Sequence, residues 1–406
     1  FVDVFGDAVA PSPESVTSSC ARPDTLEAHC FRLQDGGLAL AAWKSDDGSD
    51  SLSFTVSDPR YQDLLLVDPL TGGRSPVPGL SRDPDGRAVV SDLPIGKRPV
   101  IVELKTVEED GTDLYFAEGY TGEGFHEYLC LANADDVDAQ VVVTFFFSDG
   151  AAQEVPVDIP RGYRTTLNVN EIVGGGRSVS ARVVSEQEVF AERPMYFEYG
   201  GGWKGGHVTT GAGRAWTECY FAEGYTGSGF DEWICVLNPG GEPAGLTFRF
   251  QTEEEGEKVI AGLSVPPRSR SSFKVNDLLG RDYQASCVLE SDRPIVAERP
   301  MYFDYMGTGG HHWQGGHCVM GANLPSTRFY FAEGTTRAGF EEWLTIQNPD
   351  AQDIEVEAVY QLGPGQGEPV SRTYQIGAGR RYTVLVSNEV GLEKDVSVEL
   401  SSASTF

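Results

Sequence analysis

Tyr115-Phe116-Ala117-Glu118-Gly119 returns as Tyr220-Phe221-Ala222-Glu223-Gly224 and again as Tyr330-Phe331-Ala332-Glu333-Gly334. The copies start 105 residues apart (115 to 220) and 110 residues apart (220 to 330). Each leads into a glycine-rich turn closing on Gly124-Phe125, Gly229-Phe230 or Gly339-Phe340. A Glu-aromatic pair comes next: Glu127-Tyr128, Glu232-Trp233 and Glu342-Trp343. Asn133, Asn238 and Asn348 then close the following apolar run. A period this long, filled with short apolar runs, predicts tandem domains and not a solenoid of short units.

Between the copies the texture is that of strands. Residues 140–148 are apolar on nearly both faces, which predicts a central strand. Asp149-Gly150 then reads as a hairpin turn, and Pro156 marks the next strand as an edge because it has no backbone donor. Helical periodicity is not sustained; the best short stretch, 276–279, is one turn at most. The predicted fold class is therefore all-β, with elongated tandem β-sandwich (jelly-roll-like) domains. The expected organisation is a linker or extended arm at 1–30, an accessory β-sandwich at 31–108, and repeats at 112–213, 217–323 and 327–406. The third repeat stops one strand early: repeats 1 and 2 run on through Glu192-Arg193-Pro194-Met195-Tyr196-Phe197 and Glu298-Arg299-Pro300-Met301-Tyr302-Phe303.

Residues 31–108 resemble the small β-sandwich that follows the catalytic barrel of secreted glycoside hydrolases. The resemblance rests on Phe31-Arg32-Leu33, Asp35-Gly36-Gly37, Ala41-Ala42-Trp43, Val67-Asp68-Pro69-Leu70 and Pro99-Val100-Ile101-Val102-Glu103. It implies no catalytic residue here, because the barrel is not in the chain. The repeats resemble the sensory rhodopsin transducer family. That resemblance rests on Ala117-Glu118-Gly119-Tyr120, Cys130-Leu131-Ala132-Asn133-Ala134-Asp135, Phe146-Phe147-Ser148-Asp149 and Ile159-Pro160-Arg161. It implies a jelly-roll-like sandwich that assembles and binds without catalysis. The Glu-Arg-Pro-Met-Tyr-Phe segment and the Trp/Gly/His tail after it depart from that family and look more like repeats of secreted bacterial surface proteins.

The chain has 406 residues, with 61 acidic against 31 basic ones and a net charge of -30. Such a balance disfavours nucleic acid, whose binding needs clustered Lys and Arg, and anionic membrane surfaces. No apolar run reaches a membrane span. The expected cofactor is none: Ca2+ suits the acidic composition, yet no calcium-loop motif is present. His311, His312 and His317 would be the histidines for a Zn2+ or Ni2+ site, but no carboxylate sits at a metal-motif spacing, and no metal site is expected. Cys20 and Cys30 are near enough in sequence to form a disulfide; Cys130 and Cys235 fall at one position of successive repeats and read as small core residues. The chain begins at Phe1, which reads as a processed protein or a piece of a longer one.

Two constellations recur. Glu118 with Arg193, and Glu223 with Arg299, read as structural ion pairs knitting the first strand of a repeat to its last. Trp203 with His207, and Trp313 with His317, lie in glycine-rich segments that read as loops able to stack on a sugar and take its hydroxyls, with Glu118 and Glu223 nearby. No catalytic residue is expected. The leading functional expectation is a non-catalytic extracellular or cell-surface repeat protein for adhesion, binding of a polysaccharide or cell-envelope glycan, or assembly. The alternatives are the ancillary region of a secreted glycoside hydrolase, and a filament subunit that self-associates when the arm Phe1–Pro13 donates a strand to the incomplete third repeat.

Overall fold

The structure, a computed structural model, describes residues 8–11, 16–20, 26–33, 38–46, 48–56, 61–68, 73–82, 87–106, 111–253, 255–308 and 310–406. It is all-β: the described residues form antiparallel strands, with three helices of five residues each. The chain divides into two compact units, 1–109 and 110–406.

Among the described residues the first unit has ten strands: β1 (Ala8–Pro11), β2 (Val16–Cys20), β3 (Leu26–Leu33), β4 (Leu38–Lys44), β5 (Asp50–Val56), β6 (Tyr61–Val67), β7 (Arg74–Pro76), β8 (Leu80–Arg82), β9 (Ala88–Ile95) and β10 (Val100–Thr106). Six of them form a sheet in the order β1-β3-β4-β10-β6-β7, and four form a second sheet, β2-β5-β9-β8. Alternation explains their shared core, since one face of each strand points inward. Leu38, Leu40 and Ala42 of β4 pack with Leu52, Phe54 and Val56 of β5 and with Val90 and Leu93 of β9. The expectation of a linker over 1–30 needs correcting. Ala8–Pro11 pairs with Phe31–Leu33 of β3, and Val16–Cys20 pairs along β5, so both stretches are sheet strands. The strand Ala8–Pro11, part of the arm expected to be a donor, is thus engaged within its own unit. The remainder of Phe1–Pro13 and the side chains of Cys20 and Cys30 lie outside the described residues.

The second unit holds the repeats. Repeat 1 comprises β11 (Thr112–Phe116), β12 (Phe125–Asn133), β13 (Ala139–Phe147), β14 (Ala152–Ile159), β15 (Arg164–Asn168), α1 (Val169–Val173), β16 (Val179–Ser185), β17 (Val189–Tyr199) and β18 (Trp203–Thr210). Its sheets run β11-β16-β13-β14 and β15-β12-β17-β18. Both feed one core: Phe116, Val143, Phe145 and Val183 from the first sheet, Leu129, Leu131 and Ala191 from the second. β13 is interior to its sheet and β14, carrying Pro156, is at the edge. Gly150 takes φ +80° in the turn between them.

Repeat 2 repeats the order with β19 (Trp216–Phe221), β20 (Phe230–Asn238), β21 (Ala244–Thr252), β22 (Gly256–Val265), β23 (Ser269–Lys274), α2 (Val275–Leu279), β24 (Ala285–Met306) and β25 (His312–Met320). Here the counterparts of β16 and β17 run on as one strand of 22 residues. Repeat 3 has β26 (Arg328–Phe331), β27 (Trp343–Asn348), β28 (Ile354–Leu362), β29 (Val370–Ile376), β30 (Arg380–Leu385), α3 (Val386–Val390) and β31 (Val396–Ser402). Its second sheet is the pair β27-β30, against four strands in repeat 1, so among the described residues repeat 3 is two strands short of repeat 1 and not the one expected.

The segments that the sequence suggests are glycine-rich loops are strands. Trp203 and His207 lie on β18, paired to β17, and Trp313 and His317 lie on β25, paired to β24. Glycine serves close approach there: a Cβ on Gly316 would sit 2.8 Å from the ring of Phe197, and one on Gly205 would sit 3.2 Å from Gly315 Cα.

Candidate functional site at the joints between repeats

The recurring residues converge where one repeat meets the next. The Gly of the repeated motif admits them. A Cβ on Gly119 would stand 2.5 Å from Val179 O and 2.7 Å from Glu127 Oε1, and Gly224 and Gly334 are crowded in the same way by Glu232 and Glu342. The turn glycine Gly124 takes φ +81°, a conformation that L side chains rarely adopt. This turn brings Phe125 and Glu127 back beneath the motif. The short helix α1 then fixes Glu127: Asn170 Oδ1 accepts the Glu127 N–H at 2.8 Å, and Asn170 Nδ2 donates to Phe125 O at 2.8 Å. Asn276 on α2 does the same for Glu232 and Phe230, at 2.9 and 3.0 Å.

Arg193, 1% exposed, points inward from β17 into this space. Its Nη2 lies 3.0 Å from Glu118 Oε2 and 2.9 Å from Glu298 Oε2, and Nη1 donates to the Glu118 carbonyl. Glu298 belongs to repeat 2 and is 0% exposed. Its Oε1 also accepts the Ala117 N–H at 2.8 Å, and Cys318 Sγ donates to its Oε2 at 3.1 Å. A second arginine, Arg270 of repeat 2, donates to Gly119 O at 3.2 Å. The ion pair anticipated within one repeat is therefore shared by two.

Burial, with the neighbouring charges of Glu118 and Glu298 adding to it, pushes the Glu127 carboxyl up to about 8 against the pull of Arg193. Glu127 is therefore largely protonated at neutral pH. Arg193 thus bridges the carboxyl groups of Glu118 and Glu298, while Arg270 enters beside them at Gly119. The sulfur of Cys318 and the carboxylates of Glu118 and Glu298 come within metal-ligand reach of one another. Arg193 already supplies the compensating positive charge among them, so the group reads as an ion cluster.

Around the cluster the joint is apolar and aromatic. Tyr115, Ala117 and Phe146 of repeat 1 meet Leu237 and Val296 of repeat 2. Tyr302 stacks on Tyr199 with ring centroids 4.2 Å apart and meets Phe197 edge-on at 4.9 Å. Beside it opens a cavity of about 290 Å³ lined by Tyr120, Tyr199, Trp233, Arg270 and Tyr302 among others. Cys235 lies at this joint, 4% exposed, on the outward face of β20, so the position read as module core is a joint position. Burial raises its thiol and that of Cys318, which leaves both unreactive.

The second joint keeps part of this arrangement. Arg381 of repeat 3 donates to Gly224 O at 2.8 Å, as Arg270 does to Gly119 O. Arg299 Nη2 pairs with Glu223 Oε2 at 2.9 Å, and His317 Nε2 lies 3.0 Å from the same oxygen. Repeat 3 contributes no counterpart of Glu298 among the described residues, and the Glu223 side chain is 42% exposed. Burial pushes Glu232 up to about 8, as it does Glu127.

Of the residues expected to contact a glycan, the fold brings His317 and Glu223 together and gives the others separate partners. Glu118 is 3% exposed and held by Arg193, and borders the joint cavity. His207 is largely enclosed; burial, with Arg193 adding to it, lowers its pKa to about 3, and its ring nitrogens have no partner among the described residues. Trp203 packs on Tyr199 at 5.6 Å. Trp313 packs against His311, ring centroids 4.5 Å apart and tilted by 60°. His312 bonds Asp304 and His317 bonds Glu223, so the three histidines turn to different partners. Sequence reasoning missed Glu298, Arg270 and Arg381. Their signal was weak: the arginines sit opposite the residue before the repeated Asn, Arg270 across from Leu237 and Arg381 across from Gln347.

No family model matches the chain, and no curated protein matches it. Solved structures similar to parts of it include Thermotoga maritima 1070, at 21% identity and TM-score 0.24, covering 25% of this chain and 92% of that one. The Anabaena sensory rhodopsin transducer is similar at 26% identity and TM-score 0.19, covering 21% of this chain and 87% of its own.

Proposed function

We propose that residues 111–406 form a non-catalytic, jointed array of β-modules, a stiff spacer that acts in adhesion or assembly outside the cell or on its surface. The observation that carries this reading is the use made of the recurring residues. Glu118, Glu127 and Arg193 are buried in a joint closed by Glu298 of the next repeat; Glu118 borders the joint cavity but its carboxylate is held by Arg193. A charge cluster with a fixed hydrogen-bond pattern locks one orientation between modules, because any other leaves a buried charge unpaired. The net charge of -30 suits a protein kept soluble and apart from like-charged surfaces. Membership of the transducer-like families, and the glycosidase-type origin of the first unit, belong to this proposal.

Small-angle scattering tests it. The native chain should give one rigid arrangement of repeats 1 and 2, and Glu298→Lys should broaden the distance distribution. An unchanged profile for that variant would count against the array reading. The aromatic cavity favours a second reading, glycan contact at the joint, since Tyr120, Tyr199 and Trp233 line it beside Arg270. A polysaccharide panel with Trp233→Ala decides that reading: binding that survives the substitution places any glycan elsewhere.

A further inference from the structure

The sheet β15-β12-β17-β18 of repeat 1 carries, on its outward face, the same side chains that repeat 2 uses to close the first joint. Register fixes the correspondence. Glu192 lies opposite Cys130 as Glu298 lies opposite Cys235, and Phe190 lies opposite Ala132 as Val296 lies opposite Leu237. Tyr196 matches Tyr302, Val208 matches Cys318, and Arg164 matches Arg270. In repeat 2 this face is covered: Val296 is 1% exposed, Glu298 0%, Tyr302 4% and Arg270 2%. In repeat 1 it is open: Phe190 is 56% exposed, Tyr196 58% and Val208 55%, with Glu192 and Arg164 also exposed. Arg164 is already held in the docking posture. Its Nη2 donates to Thr166 Oγ1 at 2.7 Å, as Arg270 does to Ser272 and Arg381 to Thr383 at 2.8 and 2.9 Å.

The complementary edge is also open, at repeat 3. Tyr330 is 68% exposed where its counterpart Tyr115 is 8% exposed. The Gly334 carbonyl accepts Val396 N–H at 2.8 Å, as Gly119 and Gly224 accept Val179 and Ala285. Those two carbonyls each take an arginine from the following repeat; Gly334 takes none among the described residues.

Building on the reading of 111–406 as a jointed array, we propose that the outward face of repeat 1 docks on the Tyr330–Gly334 edge of repeat 3 in a second copy of this chain, head to tail. Arg164 then donates to the partner copy's glycine carbonyl and Glu192 accepts its Ala332 N–H, while Phe190 and Tyr196 cover its aromatic edge. Such a contact joins different patches, so it is heterologous and does not close on itself as a twofold dimer does. It is weaker than the first internal joint, because repeat 3 offers no counterpart of Arg193 among the described residues to face Glu192.

Sedimentation velocity of the full chain, carried into the high micromolar range, tests this. The expected result is a mass that grows with concentration. Arg164→Glu with Tyr196→Ser should abolish the growth, and so should Tyr330→Asp; all three residues are exposed or hydrogen-bonded only locally, and circular dichroism checks that each variant folds. Mixing the two variants should restore a species of twice the chain mass and nothing larger, because each supplies the face that the other lacks. A native chain that stays monomeric at every concentration overturns the inference, as does growth that survives either variant or a mixture that fails to dimerise. Scattering from a monomeric chain would still report the internal joints, so the array reading is judged separately.

Discussion

Replacing Arg193 by Met removes one guanidinium from a site that excludes water. Arg193 is 1% exposed, Glu118 3% and Glu298 0%, and both carboxylates lie within 3.0 Å of Nη2. Methionine keeps much of the volume, so the loss is chiefly electrostatic. Removing one partner of a buried pair costs about 3–5 kcal/mol, because the other is left buried and uncompensated. Repeat 2 supplies the control. Arg299 holds Glu223 at the same 2.9 Å range, but the Glu223 side chain is 42% exposed, and water can take over its solvation. Arg299→Met should therefore cost on the order of 1 kcal/mol, as for an exposed pair. The assay must be local, since a chain of several modules does not unfold in two states. Hydrogen exchange of peptides covering 112–121 and 296–303 reports opening of the first joint. The Arg193→Met loss should also shrink as pH falls, because the stranded carboxylates can then take up protons. Equal losses for the two variants, or an Arg193→Met loss independent of pH, would refute the cluster as the source of joint stability.

Three further outcomes are expected. Glu127 and Glu232 each titrate at about 8 when folded, above the unfolded carboxylate value, so the folded state binds more protons and stability falls as pH rises toward 8. His207, lowered to about 3, acts oppositely below the ordinary histidine value near 6.5, so the net decline shows most clearly from about pH 6.5 to 8; Glu127→Gln with Glu232→Gln should flatten it in thermal melts. Gly119→Ala forces a Cβ against Val179 O and Glu127, and should destabilise the first joint in hydrogen exchange by more than Gly213→Ala, where a Cβ meets nothing. Asn133→Ala strips donors from Val137 O and Ile159 O, at 2.8 and 2.9 Å, and a bond from Asp135 N–H, and should cost repeat 1 about 1–3 kcal/mol in denaturant titration.

The repeat was legible because its constraints are local. A glycine at φ +81°, an Asn that caps a turn, and an apolar run such as that of β13 act through neighbours in sequence. Those features determined the all-β class, the central and edge strands, and the pairing of Glu118 with Arg193. The glycine-rich segments around Trp203 and Trp313 read as loops because glycine is poor in strands; it is tolerated there because Phe197 and the facing glycine strand come too close for a side chain. Nothing along the chain says that Glu298, 180 residues from Glu118, completes its cluster, or that Arg270 caps Gly119. Glu192 and Glu298 stand in identical local sequence, yet one is exposed and the other sealed. Local sequence fixes which way such a side chain points; whether water or a neighbouring repeat meets it is settled only by how the modules stack.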